Sequence, residues 1–174
     1  FERKKSKWIA EFAQAESISE KVKTDLLKAN KKLNEPKIIT GLVKELLSRT
    51  NLFIGNSLPI RDFDYFSGTS SKLFNIYFNR GASGIDGIVS TALGVASHKK
   101  PTVLLVGDLS FLHDINSVLI AKKNNTPLAI VLINNNGGGI FQALPISKNK
   151  KLLKEYFITP QNLNIAEIVQ AFGI

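Results

Sequence analysis

Four short apolar runs, at residues 52–54, 73–78, 103–106 and 128–133, each lead into a loop rich in glycine, asparagine or serine. Runs this short suit strands better than helices. Helical patterns occupy residues 86–97, 111–124 and 164–172. Strands alternating with helices predict an α/β fold, a doubly wound, mostly parallel sheet with helices on both faces. In such a sheet the functional loops lie beyond the carboxyl ends of the strands. Here they begin at Gly55, Asn79, Gly107 and Asn134, and they are the most unusual stretches of the chain.

The opening third has a different texture. Trp8, Ile9, Phe12, Val22, Leu26, Ala29 and Leu33 recur at spacings of three and four, so residues 1–35 are expected to be a linker with lead-in helices. Ser17 followed by Glu20 has the form of a capping box and predicts a break near Ser17. Pro36 suits the start of the next helix, whose apolar positions are Ile38, Ile39, Leu42, Val43, Leu46 and Leu47. The α/β domain is expected to span residues 36–174. A start at Phe1 and the lack of any methionine suggest a piece of a longer polypeptide, and the end at Ile174, just after a helix, suggests truncation there as well.

The net charge of +9 raises the question of nucleic acid. Twelve of the 23 basic residues fall within positions 1–50, among seven acids, along helical stretches. No aromatic stacking platforms are interleaved with the lysines, so a solvated helical surface is expected and no nucleic-acid partner. The absence of cysteine excludes disulfides and thiolate metal sites, and fits a cytoplasmic setting. No apolar run approaches the ~18 residues of a membrane span.

Chemistry concentrates at two strand ends. The run at 103–106 delivers Gly107 and Asp108, and the run at 128–133 leads into Asn134-Asn135-Asn136-Gly137-Gly138-Gly139. A hard divalent cation wants a carboxylate, an amide oxygen and a backbone carbonyl, with phosphate and water oxygens completing the octahedron. Asp108, Asn135 and the Gly137 carbonyl can supply that set. The glycines let backbone approach a phosphate, and a following helix start would offer free N–H groups. Other phosphate motifs fit worse. No G-x-x-x-x-G-K-[ST] occurs, and Gln142 stands where a dinucleotide fingerprint needs glycine. Ser83 lies in Gly81-Ala82-Ser83-Gly84-Ile85, which lacks the final glycine of a nucleophile elbow. His98 and His113 are too isolated to form a metal pair.

Gly107-Asp108 followed by Asn134-Asn135 resembles the thiamine-diphosphate motif, a Gly-Asp-Gly leading to paired asparagines. Leu109 replaces the usual third residue, a departure that points to one subgroup. Four ordered blocks resemble the family of 2-succinyl-5-enolpyruvyl-6-hydroxy-3-cyclohexene-1-carboxylate synthases. They are the segments at 55–61, 79–87, 107–110 and 134–141, reading GNSLPIR, NRGASGIDG, GDLS and NNNGGGIF.

The resemblance implies a domain that binds thiamine diphosphate through Mg²⁺ (or Mn²⁺), with Asp108, Asn135 and the Gly137 carbonyl as metal ligands. Gly84, Gly107, Leu109, Ser110 and Gly138 would line the cofactor, and Ile85 would be the apolar wedge that bends it. The backbone at Ser83 would accept a hydrogen bond from the aminopyrimidine. Ser57, Arg61 and Arg80 would bind substrate carboxylates, both arginines from loops, while Ile140, Phe141 and Leu144 wall the pocket. The implied substrates are 2-oxoglutarate and isochorismate, in menaquinone or phylloquinone biosynthesis. The family also takes an activating glutamate from the pyrimidine-binding domain of a second subunit, which implies a homo-oligomer. Plainer roles stay open at some positions: Ile85 and Phe141 as core, Arg80 as a loop tie. So do an acetolactate-synthase-like enzyme or other 2-oxoacid decarboxylase, and a non-catalytic cofactor-binding module.

Overall fold

The computed structural model describes residues 7–174. The first six residues of the lead-in segment lie outside that range. At the centre is a four-stranded, all-parallel sheet in the order β2-β1-β3-β4. Its strands are β1 (Asn51–Ile54), β2 (Asn75–Tyr77), β3 (Thr102–Gly107) and β4 (Ala129–Ile133). Alternation along the strands sends side chains to opposite faces. Leu52, Ile54 and Leu105 pack on one side with Ile39, Val43 and Phe63; Phe53, Leu104 and Val106 pack on the other with Ile88, Ala92, Phe111, Val118 and Ile165. Each fully buried side chain of this size stabilises the fold by roughly 1.5–3 kcal/mol.

The covering helices are α2 (Glu35–Glu45) and α3 (Leu58–Phe66) on the first face. The second face carries α4 (Ile88–Ala96), α5 (Asp108–His113), α6 (Val118–Asn124) and α8 (Ile165–Ala171). A short turn α7 (Lys150–Leu152) runs into a π-helical segment, Leu153–Ile158. The expected doubly wound parallel sheet is therefore present.

The start of α2 follows its sequence signals. Asn34 caps it by accepting the Lys37 N–H at 3.1 Å, and Pro36 sits in the first turn. The lead-in helix α1 (Trp8–Ala29) instead runs unbroken through Ser17. The expected break is absent because the capping box is only permissive and the helix-forming residues around it carry the helix through; Glu20 pairs instead with Lys23. No residue of α1 is buried, and Trp8, Ile9, Phe12, Val22 and Leu26 are exposed.

Three other boundaries moved. The strand expected at 73–78 contracts to Asn75–Tyr77, an edge strand with exposed side chains, because only these residues pair with β1, opposite Asn51–Phe53. The helix expected at 111–124 starts at Asp108 and is interrupted at Asp114. There the Asp114 carboxylate accepts the Ser117 hydroxyl at 2.6 Å and the Ser90 N–H at 2.8 Å, tying the start of α4 to this corner. Finally, α3 replaces what read as loop. Pro59 lies in its first turn, and Arg61 is therefore helical rather than on a loop. Arg80 does lie in a loop, after β2.

Candidate active site

The chain order reverses between β1 and β3: β2 lies to one side of this central pair and β4 to the other. A parallel sheet opens a crevice at such a switch point, beyond the strands' carboxyl ends. Two segments enter it side by side, Gly55-Asn56-Ser57 from β1 and Gly107-Asp108 from β3. They stay in register because the Gly55 N–H donates to the Leu105 carbonyl at 2.7 Å. Close approach needs glycine there, since a β-carbon at position 55 would sit 3.2 Å from the Val106 side chain.

Asp108 anchors the crevice. It is 3% exposed, and its two carboxylate oxygens accept the Leu109 N–H at 2.8 Å and the Gly137 N–H at 2.7 Å. Among the described residues the one ion pair joins Lys23 to Glu20, so this nearly buried carboxylate has no cationic side chain beside it. Each oxygen retains acceptor capacity. Asn135 stands at the same edge, its amide nitrogen 3.3 Å from a Glu35 carboxylate oxygen at the start of α2.

The triglycine loop is braced from behind. Gly137 has φ +127° and Gly138 donates to the Ile158 carbonyl at 2.8 Å. A β-carbon at 138 would press on the Phe157 carbonyl and come within 2.7 Å of the Phe141 ring. The N–H groups of 137–139 are thus spoken for by Asp108, Ile158 and the Gly137 carbonyl. They do not form the free helix start expected from the sequence, because a 3₁₀ turn (Gly139–Ala143) follows. What stays open in this loop is space rather than donors.

A cleft of about 160 Å³ gathers Ser57, Ile85, Gly107, Asp108, Leu109, Ser110, Asn135, Gly137, Gly138 and Phe141. Leu58, Pro59, Ile133 and Gly139, not anticipated from the sequence, complete its wall. Complete small-molecule pockets usually enclose about 300–1,000 Å³, so this cleft suits one end of a cofactor rather than the whole. Ser83, Gly84, Ile140 and Leu144 are outside its lining. Arg61 and Arg80 are also outside it, and share a shallow depression of about 410 Å³ between α3 and β2. Arg61 turns its guanidinium back to the Ser57 carbonyl at 2.7 Å. Ser57 itself has φ +75° and ψ −131°, a conformation that L residues rarely adopt.

Two further polar groups escaped the sequence reading. Asn56 is 3% exposed and donates from its amide to the carbonyls of Asn79 and Gly84. Asp62 on α3 has a buried carboxylate oxygen without a partner. Burial, then the nearby Glu35 charge, pushes its carboxyl above the usual aspartate range. Periodicity carries no signal for either; only the packed fold does.

The profile of the family described as "Thiamine pyrophosphate enzyme, C-terminal TPP binding domain" matches residues 69–174. This chain belongs to that family. Among curated relatives, the 2-succinyl-5-enolpyruvyl-6-hydroxy-3-cyclohexene-1-carboxylate synthase of Crocosphaera subtropica is 45% identical over 90% of this chain and 27% of its own length. The protein of the same name from Bacillus cytotoxicus is 41% identical over 98% of this chain and 29% of its own. The chain thus spans little more than a quarter of these relatives. Benzoylformate decarboxylase from Polynucleobacter necessarius shares the fold with a TM-score of 0.66 at 17% identity, over 83% of this chain and 28% of that one.

Membership in the TPP-binding family makes thiamine diphosphate the cofactor against which the cleft is judged. A thiamine diphosphate held through a hard cation fits the residues present. The donor set is oxygen-rich, with a buried carboxylate that lacks a cation, and the glycine wall leaves room for phosphate. Among the described residues no helix is long and apolar enough to cross a membrane.

Proposed function

We propose that this chain supplies the diphosphate- and metal-binding half of a carboligase that decarboxylates 2-oxoglutarate and adds the succinyl unit to isochorismate. That reaction belongs to menaquinone or phylloquinone biosynthesis. The observation that carries the reading is Asp108, a nearly buried carboxylate at the switch point, bonded across to Gly137 and set near Asn135. Relatives 41–48% identical over most of this chain bear the name of that synthase.

In this reading Asp108, Asn135 and the Gly137 carbonyl hold Mg²⁺, with Mn²⁺ as a substitute, and the cation neutralises the diphosphate. Bound thiamine diphosphate supplies the electron sink that lets a 2-oxo acid lose carbon dioxide. The chain's own residues bind and orient. Ile85, 37% exposed and lining the cleft, would set an apolar surface against the bound cofactor. Gly107, Leu109, Ser110 and Gly138 shape the diphosphate end, and the loop at Ser83 and Gly84 offers backbone to the aminopyrimidine.

Ser57, Arg61 and Arg80 receive substrate carboxylates. Planar guanidinium forks suit substrates as rich in carboxylates as these two. Phe141 excludes water from one wall, with Ile140 and Leu144 extending that wall toward a second subunit. The small cleft supports a shared site, completed by a pyrimidine-binding domain of a partner subunit in a cytoplasmic homo-oligomer.

Two measurements on the full-length protein test this. Calorimetric titration with thiamine diphosphate should show binding that requires Mg²⁺. Turnover should then demand 2-oxoglutarate together with isochorismate. Metal-dependent binding without that turnover would leave another 2-oxoacid decarboxylase; no binding would leave a non-catalytic module.

A further inference from the structure

Asn56 lies in the loop leaving β1 and lines neither the cleft nor the arginine depression. It stands two residues beyond the end of β1 and is 3% exposed. Its side-chain amide donates to the Asn79 carbonyl at 3.1 Å and to the Gly84 carbonyl at 2.5 Å. Those carbonyls bracket the loop that leaves β2, five residues apart, and Gly84 immediately precedes Ile85.

The amide's orientation is decided by its neighbours. Both groups facing Nδ2 are acceptors, so a flipped amide would set oxygen against two carbonyls. Asn56 Oδ1 is buried without a partner, so two donors alone hold the side chain in place.

Few other ties fix this loop. The Asn79 carbonyl also takes the Ser83 N–H at 3.2 Å, and the Ser83 hydroxyl bonds the Arg80 carbonyl at 2.9 Å. Both of these bonds stay inside the loop. The Asn79 amide also donates to the Thr91 hydroxyl of α4 at 3.2 Å and, more weakly, to the Gly87 carbonyl at 3.5 Å, so it ties the loop to the start of α4. The bond from the carboxyl end of β1 to the residue before Ile85 comes from Asn56. Residues 80–83 and 85–86 are exposed, so apolar packing does little to hold them.

We infer that Asn56 is a positioning residue: its amide fastens the 79–85 loop to the carboxyl end of β1 and sets how far Ile85 projects into the cleft. The inference rests on the proposed cofactor reading, in which Ile85 bends the bound cofactor. Asn56 then governs the cofactor's geometry without touching it, while its affinity is governed separately by Asp108 and Asn135.

The test compares the full-length wild type with Asn56→Ala, which removes both donors, and Asn56→Ser, which keeps one hydroxyl donor. Amide hydrogen exchange of residues 79–87 is read without ligand. Calorimetry gives thiamine diphosphate affinity in Mg²⁺, and NMR follows deuterium exchange of the bound cofactor's C2 proton, which depends on the bend. Asn56→Ala should speed loop exchange about tenfold or more and slow C2 exchange about tenfold, as expected for losing buried hydrogen bonds. Its cofactor affinity should stay within about threefold of wild type, since the diphosphate end is untouched. Asn56→Ser should fall between the two in both rates, and it carries the comparison with wild type if the alanine variant does not fold.

Wild-type loop exchange in the variants overturns the inference. So does a loosened loop with unchanged C2 exchange, which would make Asn56 a scaffold residue only. If wild type itself takes up no thiamine diphosphate with Mg²⁺, the functional reading has failed. Loop exchange alone then decides whether the Asn56 fastening exists.

Discussion

The Asp108 carboxylate accepts the Gly137 N–H at 2.7 Å, joining the end of β3 to the loop leaving β4 across 29 residues of sequence. The two strands are also paired in register up to Gly107 and Ile133, so the bond continues the sheet into the cleft. One side chain thereby holds the loop in shape and, in the proposed function, the cation as well.

Replacing Asp108 should therefore have two separable effects. Asp108→Ala removes the only charged protein ligand proposed for the cation and should weaken metal-dependent cofactor binding by more than about a hundredfold. Asp108→Asn keeps an acceptor for Gly137 and should lose the metal while preserving most of the stability. Calorimetry for affinity and urea unfolding for stability tell the two apart. Unchanged cofactor affinity in either variant removes Asp108 from the metal site.

The brace behind the glycine loop is testable without any ligand. Gly138→Ala introduces a β-carbon against the Phe157 carbonyl and the Phe141 ring, in a buried place. Such overpacking typically costs about 1–3 kcal/mol, which should appear as a lower urea midpoint. Gly41→Ala, where a β-carbon meets nothing within 4 Å, is the matched control and should not destabilise. Equal midpoints for the two would mean that the loop is free to move away from the 153–158 segment.

Asp62 makes a pH prediction. Burial, then the Glu35 charge, raises its folded pKa above the unfolded value. The folded state thus binds this proton more tightly, and the ionised group opposes folding at neutral pH. That penalty should shrink as pH falls through the folded pKa toward the ordinary aspartate value near ~4. Asp62→Asn should consequently raise the melting temperature at pH 7, with a gain that fades on acidification. A variant less stable than wild type at pH 7 would show that the carboxylate has a partner in solution.

Arg61 and Arg80 should act on substrate rather than on cofactor. In the full-length enzyme either alanine variant should lower kcat/KM for the carboxylate substrates, by about thirtyfold to a few thousandfold if a desolvated charge pair is broken. Lysine should restore little, because a point charge cannot reproduce the fork. Arg61 has a second attachment, to the carbonyl of the left-handed Ser57, so its loss should also loosen that turn. If cofactor affinity falls and kcat/KM merely follows occupancy, the arginines serve the loops.

Much of the fold was legible because burial leaves a mark on composition. The β3 and β4 segments are nearly pure Val, Leu and Ile; β3 is buried on both faces and half-buried β4 lies beside it, so neither has a polar alternation to obscure it. The Gly-Asp and Asn-Asn-Asn-Gly-Gly-Gly ends were legible for the opposite reason, since such residues have little to do except at a turn or a ligand. Helix α3 was hidden by the same chemistry: Asn56, Ser57 and Pro59 signal a turn, and the turn is a helix entrance. The break expected at Ser17 failed because a capping box is only permissive, and neighbouring helix formers carried α1 through it. Asn56 could not be picked out at all. An asparagine in a loop is ordinary until the carbonyls it faces are known.

The pairing of β1 with β3 joins residues about fifty positions apart, Asn51 opposite Thr102 and Ile54 opposite Leu105, with β2 and α4 made in between. Both walls of the cleft hang from that long-range pairing, so a partly folded chain has no cleft. A cofactor that binds only the finished cleft stabilises the folded state by mass action, about 2.7 kcal/mol when its free concentration is a hundred times Kd. For a domain near the usual margin of stability, that is enough to change how long the protein survives cellular proteolysis. The amount of this protein in a cell should then follow the supply of thiamine, falling in starvation before any change in gene expression.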